Sequence, residues 1–255
     1  MYRNSKGWII SVTGIVARDS SCIDMDTESR KMENHPSLLS ETLEESRERK
    51  RGVIGRYRDG RYDIPWRCRR DMAHFRHVTR HPTGEERWIC IMGKNTYLSL
   101  EKRLVDRREI VISTSMVDDG VEVYRSIEEC FDRLIDEGIL RHIYVIGGNQ
   151  LLQSSMQYID DLYLTTIDTR VEGDPGELVY LDIELPWNMK VLQRDAYPSF
   201  LSESMRVDEG KKDEYPSLLN EDSVKDPNDR AERDSVRKRK DDVGCVIEHY
   251  IRFTM

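Results

Sequence analysis

Tyr62-Asp-Ile-Pro-Trp-Arg-Cys-Arg-Arg-Asp-Met-Ala-His-Phe-Arg-His-Val-Thr79 is the stretch on which the reading of this chain turns. It reads as a rigid Pro-Trp turn running into a short helix. Met72, Phe75 and Thr79 are three and four apart and share one helical face, and Asp71 borders that face one turn before Phe75. A carboxylate placed there can be desolvated by a cleft, which raises its pKa and sharpens its pairing with a cationic ligand. An isolated Asp in a first helical turn ordinarily does no more than offset the macrodipole. The order of the residues around this one gives it a second meaning.

The chain has 255 residues, enough for one generous domain or two small ones, with 35% charged and only 38% hydrophobic residues, so some segments are expected to stay outside the core. A net charge of −8 argues against a nucleic-acid footprint. The longest apolar run, Trp8 to Ala17, is too short and too strand-like for a membrane span. The N-terminus lacks a secretory h-region. Five scattered cysteines, Cys22, Cys68, Cys90, Cys130 and Cys245, have no metal-finger spacing and suit reduced thiols, which makes the cytoplasm the expected compartment.

Trp8 to Ala17 is expected to form a central strand. From Arg18 to Arg51 the composition turns charged and reads as an insertion, within which 40–51, acids early and bases late, suits an exposed helix. Val53 to Tyr62 reads as a glycine-punctuated loop with an Asp59-Gly60 turn. Strands are expected at 87–92, 109–114, 121–124, 142–146 and 161–168. Helices are expected from Lys94, at 126–138 with a Ser126 cap, and at 150–157. Strand and helix in succession predict an α/β sandwich with helices on both faces of a mostly parallel sheet. Residues 189–196 and 245–253 read as strands able to pair as a terminal antiparallel hairpin, with a second charged segment at 199–242 between them. The phrase Pro36-Ser-Leu-Leu-Ser-Glu41 recurs with small changes at 198–203 and 216–221, at an irregular period that excludes a solenoid.

Ile64-Pro-Trp66 with Asp71 and Phe75, then Ile91-Met-Gly-Lys-Asn-Thr96, Arg107, Val145-Ile-Gly-Gly148, Tyr163-Leu-Thr165 and Glu172-Gly-Asp174, in that order and spacing, resembles dihydrofolate reductase. The resemblance covers roughly residues 8–17, 53–197 and 245–253. It implies a single domain, residues 1–255, with charged insertions at about 18–51 and 199–242. The implied fold is a three-layer α/β/α sandwich with a mostly parallel central sheet and a C-terminal antiparallel hairpin. The implied activity is NADPH-dependent reduction of dihydrofolate to tetrahydrofolate, and the resemblance implies a monomer open to antifolate inhibitors. Asp71 would anchor the pterin and act by electrostatics and orientation, the proton arriving through water, with Thr165 as its hydroxyl partner. The substrate wall would come from Val16, Ala17, Met72, Phe75, Leu100, Leu104 and Ile146, and Arg107 would clamp the α-carboxylate of the glutamate tail. Cofactor contacts would come from Ala17, Ile54, Gly55, Gly93, Lys94, Asn95, Thr96, Ser113, Thr114, Gly147, Gly148, Asn149, Gln150 and Leu151. The glycine pair, cis in the family, would admit the pyrophosphate, while Lys94, Ser113 and Thr114 would meet the 2′-phosphate. Ile54 and Gly55 match the family's mobile loop over the nicotinamide, and Trp66 its hinge end.

Two residues depart from the pattern. Leu152 stands where the family usually has Tyr, and Gln150 where some members have Arg. Leu152 keeps alive a folate- or nucleotide-binding module of the same fold with little turnover. A third reading is a related reductase acting on a pyrimidine or deazaflavin-pathway intermediate. Asp71 beside Phe75, together with Arg107, argues against it, because that chemistry needs neither a pterin anchor nor a tail clamp.

Overall fold

The computed structural model describes residues 2–4, 7–20, 48–117, 120–197 and 243–253. In chain order the strands are β1 (Tyr2–Arg3), β2 (Ile9–Ile10), β3 (Val12–Asp19), β4 (Arg49–Arg58), β5 (Arg61–Asp63), β6 (Trp88–Gly93), β7 (Arg107–Ile112), β8 (Glu122–Tyr124), β9 (Ile143–Val145), β10 (Ile159–Ile167), β11 (Leu178–Glu184), β12 (Met189–Tyr197) and β13 (Cys245–Arg252). The helices are α1 (Arg69–Thr79), α2 (Lys94–Ser99), α3 (Ile127–Asp136) and α4 (Asn149–Ser155).

Eight strands form one mixed sheet in the order β12-β13-β10-β3-β9-β6-β7-β8. From β10 to β8 every neighbour is parallel, whereas β13 runs antiparallel to both β10 and β12. Alternation along β6 explains why the sheet is buried on both sides. Ile89 and Ile91 join one apolar cluster with α3 and α4, while Cys90 and Met92 join a second with Phe75 of α1 and Tyr97 of α2. In α3, the apolar positions Ile127, Cys130, Phe131, Leu134 and Ile135 are all buried. The Ser126 hydroxyl accepts the Glu129 amide at 3.2 Å, and Gly138 takes a positive φ of 77° past the helix end, as the sequence predicts.

Several expectations change. The Trp8–Ala17 run is divided: β2 stops at Ile10, Ser11 donates its amide to the Leu140 carbonyl, and Trp8 is exposed. β3 then continues to Asp19 and β4 begins at Arg49, so both ends of the first charged segment belong to strands. Arg49 to Arg51 are extended, not helical; the rest of the expected helix lies outside the described residues. The expected loop at 53–62 is instead most of a hairpin, β4 and β5, joined by the Asp59-Gly60 turn, both residues at positive φ. β4 pairs antiparallel with β11, a strand the sequence reading did not find, with one register shift opposite Val179 and Tyr180, and the three make a separate antiparallel sheet in the order β11-β4-β5. The second charged segment and the three Pro-Ser phrases lie outside the described residues. Among those residues no helix is long and apolar enough to cross a membrane.

Candidate active site

Asp71 is the one acid on α1 and stands in its first turn. The Thr165 hydroxyl, buried on β10, donates to its carboxylate. Register places Thr165 between Ala17 of β3 and Ile247 of β13, so the acid reaches the sheet at its parallel-to-antiparallel change. Asp71 is half-buried as a residue, but its carboxyl is packed closely enough that desolvation raises its pKa, only partly opposed by the Thr165 hydrogen bond.

The substrate-wall residues divide. Phe75, Leu100, Leu104 and Ile146 pack against one cluster, together with buried Ile15 and Met92. Val16 points instead into the cluster on the opposite side of the sheet, and Met72 is 51% exposed. Ile15 is therefore the β3 side chain that accompanies Phe75. Strand alternation counted from Ala17 is the signal that could have found it. Ala17 itself packs with Trp66 and Tyr163 in a third cluster.

Arg107 is held in three ways. Its Nε donates to the Thr79 hydroxyl at 3.1 Å, its Nη1 to the Val105 carbonyl at 2.8 Å, and its guanidinium lies 5.8 Å from the Phe75 ring centre. Thr79 in turn donates to the Phe75 carbonyl at 2.7 Å. Burial lowers the Arg107 pKa, and Arg80 and Arg76 push the same way. Leu104 is fixed nearby by its amide, which donates to buried Glu109 at 2.6 Å, and Glu109 also pairs with Arg103.

At the carboxyl ends of β6 and β9 two glycine-bearing turns meet. The Gly147-Gly148 peptide is cis, Gly147 has a φ of 110° that favours glycine, and the Gly93 amide donates to the Gly147 carbonyl at 2.8 Å. A Cβ on Gly93 would stand 3.6 Å from the Gly148 nitrogen, and one on Gly148 would stand 3.5 Å from the Thr96 hydroxyl. The two glycine turns and Thr96 thus lie in van der Waals reach of one another at the strand ends. Beyond them, Lys94 donates to Ser115 at 3.3 Å beside a cavity of about 700 Å³ that Ser113, Thr114, Met116, Tyr124 and Arg125 help to line. Arg125, directly before the helix-capping Ser126, was not singled out from the sequence.

The remaining expected cofactor contacts are scattered. Asn149 uses its side-chain oxygen to accept the Asp182 amide at 2.8 Å, and Gln150 is exposed. Leu151 and Leu152 are buried in the main core, so Leu152 occupies the family's Tyr place as packing. Ile54 and Gly55 lie on paired strand β4, not on a free loop.

Behind Asp71, His74 sits edge-on to Tyr163 at 5.0 Å, and Tyr163 stacks on His249 at 4.3 Å. The His74 Nε2 is buried without a hydrogen-bond partner among the described residues, and desolvation, with His77 and His249, pushes its pKa down to about 4 against the pull of Asp195. The folded state thus resists a proton that the unfolded chain takes up near pH 6.5. Stability is expected to hold above that pH, fall as pH drops toward 4 and level off below it. Urea titrations of wild type and His74→Leu should show the acid slope reduced in the variant; equal slopes would remove His74 as the cause.

An acid-bearing helix on one face of a mostly parallel sheet, with paired glycines at the strands' carboxyl ends, marks an α/β cleft protein of the kind that binds a ligand across its strand ends. The family model described as Dihydrofolate reductase matches residues 47–180. The chain is 31% identical over 113 residues to the dihydrofolate reductase of Staphylococcus aureus (strain Mu50 / ATCC 700699), covering 44% of this chain and 64% of that protein. It is 33% identical over 138 residues to dihydrofolate reductase type 3 of Salmonella typhimurium, covering 53% of this chain and 77% of that protein. The chain belongs to the dihydrofolate reductase family. Its match spans a little under two thirds of the Staphylococcus aureus relative.

Proposed function

We propose that this chain reduces 7,8-dihydrofolate to 5,6,7,8-tetrahydrofolate with NADPH, feeding one-carbon and nucleotide metabolism. The observation that carries this reading is the Asp71 carboxyl, desolvated and hydrogen-bonded by Thr165, on the helix that also bears Phe75. Its charge would pair with the pterin 2-amino group and adjacent ring nitrogen, orienting the heterocycle and making N5 easier to protonate from water. Phe75, Leu104 and Ile146 would exclude water from the ring, and Arg107, steadied by Thr79, would take the tail carboxylate. Bound NADPH would supply the hydride for C6. Gly93, Gly147 and Gly148 would admit its pyrophosphate, and Lys94, Ser113 and Thr114 would face its 2′-phosphate.

The finer expectations belong to the same proposal: a single three-layer domain closed by a C-terminal antiparallel hairpin, acting as a cytoplasmic monomer. The reading is tested by following NADPH absorbance with dihydrofolate and purified full-length chain. Steady decay that needs both compounds supports it. Tight folate binding with no decay would favour the binding module of the same fold, for which the buried Leu152 speaks.

A further inference from the structure

The described residues carry Cys68, Cys90, Cys130 and Cys245, all buried and all as thiols. Cys90 and Cys130 belong to separate apolar clusters, and burial pushes each thiol up to about 12. Thiols held protonated in this way are inert. Cys68 and Cys245 are placed differently. They share a third cluster whose other buried members are Ile167 and Ile247. Contacts on both sides of Cys68 bring it to the start of β13. Before it, the Arg67 carbonyl accepts the Val243 amide at 3.2 Å, and Trp66 packs into the same cluster. After it, the Arg70 guanidinium lies 5.3 Å from the Tyr197 ring centre, and Tyr197 is the β12 partner of Cys245. Each cysteine also stands at the end of an element. Cys68 is the residue before α1, its carbonyl accepting the Met72 amide at 3.1 Å, and Cys245 opens β13. Element ends open locally at lower cost than element middles. Exposed Arg67, Arg69 and Arg70 flank Cys68 with positive charge, the kind of setting in which sulphur reacts as an anion.

We propose that Cys68 and Cys245 are a peroxide-sensitive dithiol whose disulfide ties the start of the Asp71-bearing helix to the C-terminal strand. One sulphur attacks a peroxide oxygen, the O–O bond breaks, and a sulfenic acid and one water result. The second sulphur then attacks the sulfenic sulphur, the S–O bond breaks, and a second water leaves. The two sulphurs are oxidised, the peroxide is reduced, and both thiol protons end in the waters. Positions 68 and 245 lie far apart along the chain, so their cross-link restricts the unfolded state over a long loop. The bond thus makes the stability of this chain respond to oxidant, whichever substrate the chain reduces.

Reduced, purified full-length chain should be treated with hydrogen peroxide, alkylated after denaturation and mapped by mass spectrometry without reduction. A Cys68–Cys245 peptide pair that has lost two hydrogens is expected, with Cys90 and Cys130 recovered alkylated. The urea midpoint should rise on oxidation and return with dithiothreitol. In Cys245→Ala, peroxide should leave the midpoint unmoved, and Cys68→Ser supplies the same comparison should the first variant not fold. Both cysteines recovered alkylated after peroxide, either one joined to Cys22 or another cysteine, or Cys68 carried to sulfinic acid without a link overturns the pairing. A Cys68–Cys245 bond that leaves the wild-type midpoint where it was overturns its role as a lock.

Discussion

Asp71→Asn is expected to lower kcat for dihydrofolate by about 100-fold or more, the scale of a lost acid–base or electrostatic group. The amide keeps the shape of the side chain and can still accept the Thr165 hydroxyl, but it carries no charge to hold the pterin. The same substitution should not weaken the fold. The Asp71 pKa is raised by desolvation, so the ionised form is the one the folded state disfavours. At neutral pH the ionised carboxyl costs stability, and the cost disappears as pH falls through the raised folded pKa. Asn should therefore match or exceed wild type in neutral urea melts, with the difference closing in acid. A variant that loses activity and stability together would make Asp71 a structural acid.

Arg107→Gln is expected to raise KM for dihydrofolate about 30- to 100-fold while leaving kcat nearly unchanged, because a charge-assisted pair to a carboxylate contributes about 2–3 kcal/mol. The guanidinium has no carboxylate within salt-bridge distance among the described residues, and Thr79 and Val105 occupy its Nε and Nη1. The pairing edge it retains suits an anion from outside. Steady-state kinetics with dihydrofolate and with a dihydropterin that lacks the glutamate tail separate the outcomes. The tail-less substrate should respond equally poorly to both proteins, and a KM change shared by both substrates would count against the clamp.

Much of this arrangement could be read in advance because the information was local. Ser126 and the spacing from Ile127 to Ile135 specify α3 without help from elsewhere, and the Gly147-Gly148 pair follows a plainly apolar strand. The resemblance to the family pairs Asp71 with Thr165, and the two are hydrogen-bonded. What was misread depended on partners far along the chain. β4 carries two glycines and five basic residues, a composition that suggests a loop; pairing with β11, more than 120 positions later, keeps it extended. β11 itself is short of strict alternation and follows a Gly- and Pro-containing turn, so it was passed over. Val16 and Ile15 show a different limit. Both are apolar strand residues, and only the side on which α1 packs decides which of them faces Phe75.

The meeting of β3 and β4 bears on how this chain tolerates its extra length. Buried Asp19 accepts the amide of Val53 at 2.8 Å and that of Val171 at 3.0 Å, and Gly52 comes so close that a Cβ there would touch Arg18 and the Asp19 carbonyl. Two strands separated by a long charged stretch are thus stitched together right at their exits. Ring-closure entropy grows only slowly with the number of links. Natural variants could lengthen or trim that stretch at small thermodynamic penalty, provided the stitch at Asp19 survived.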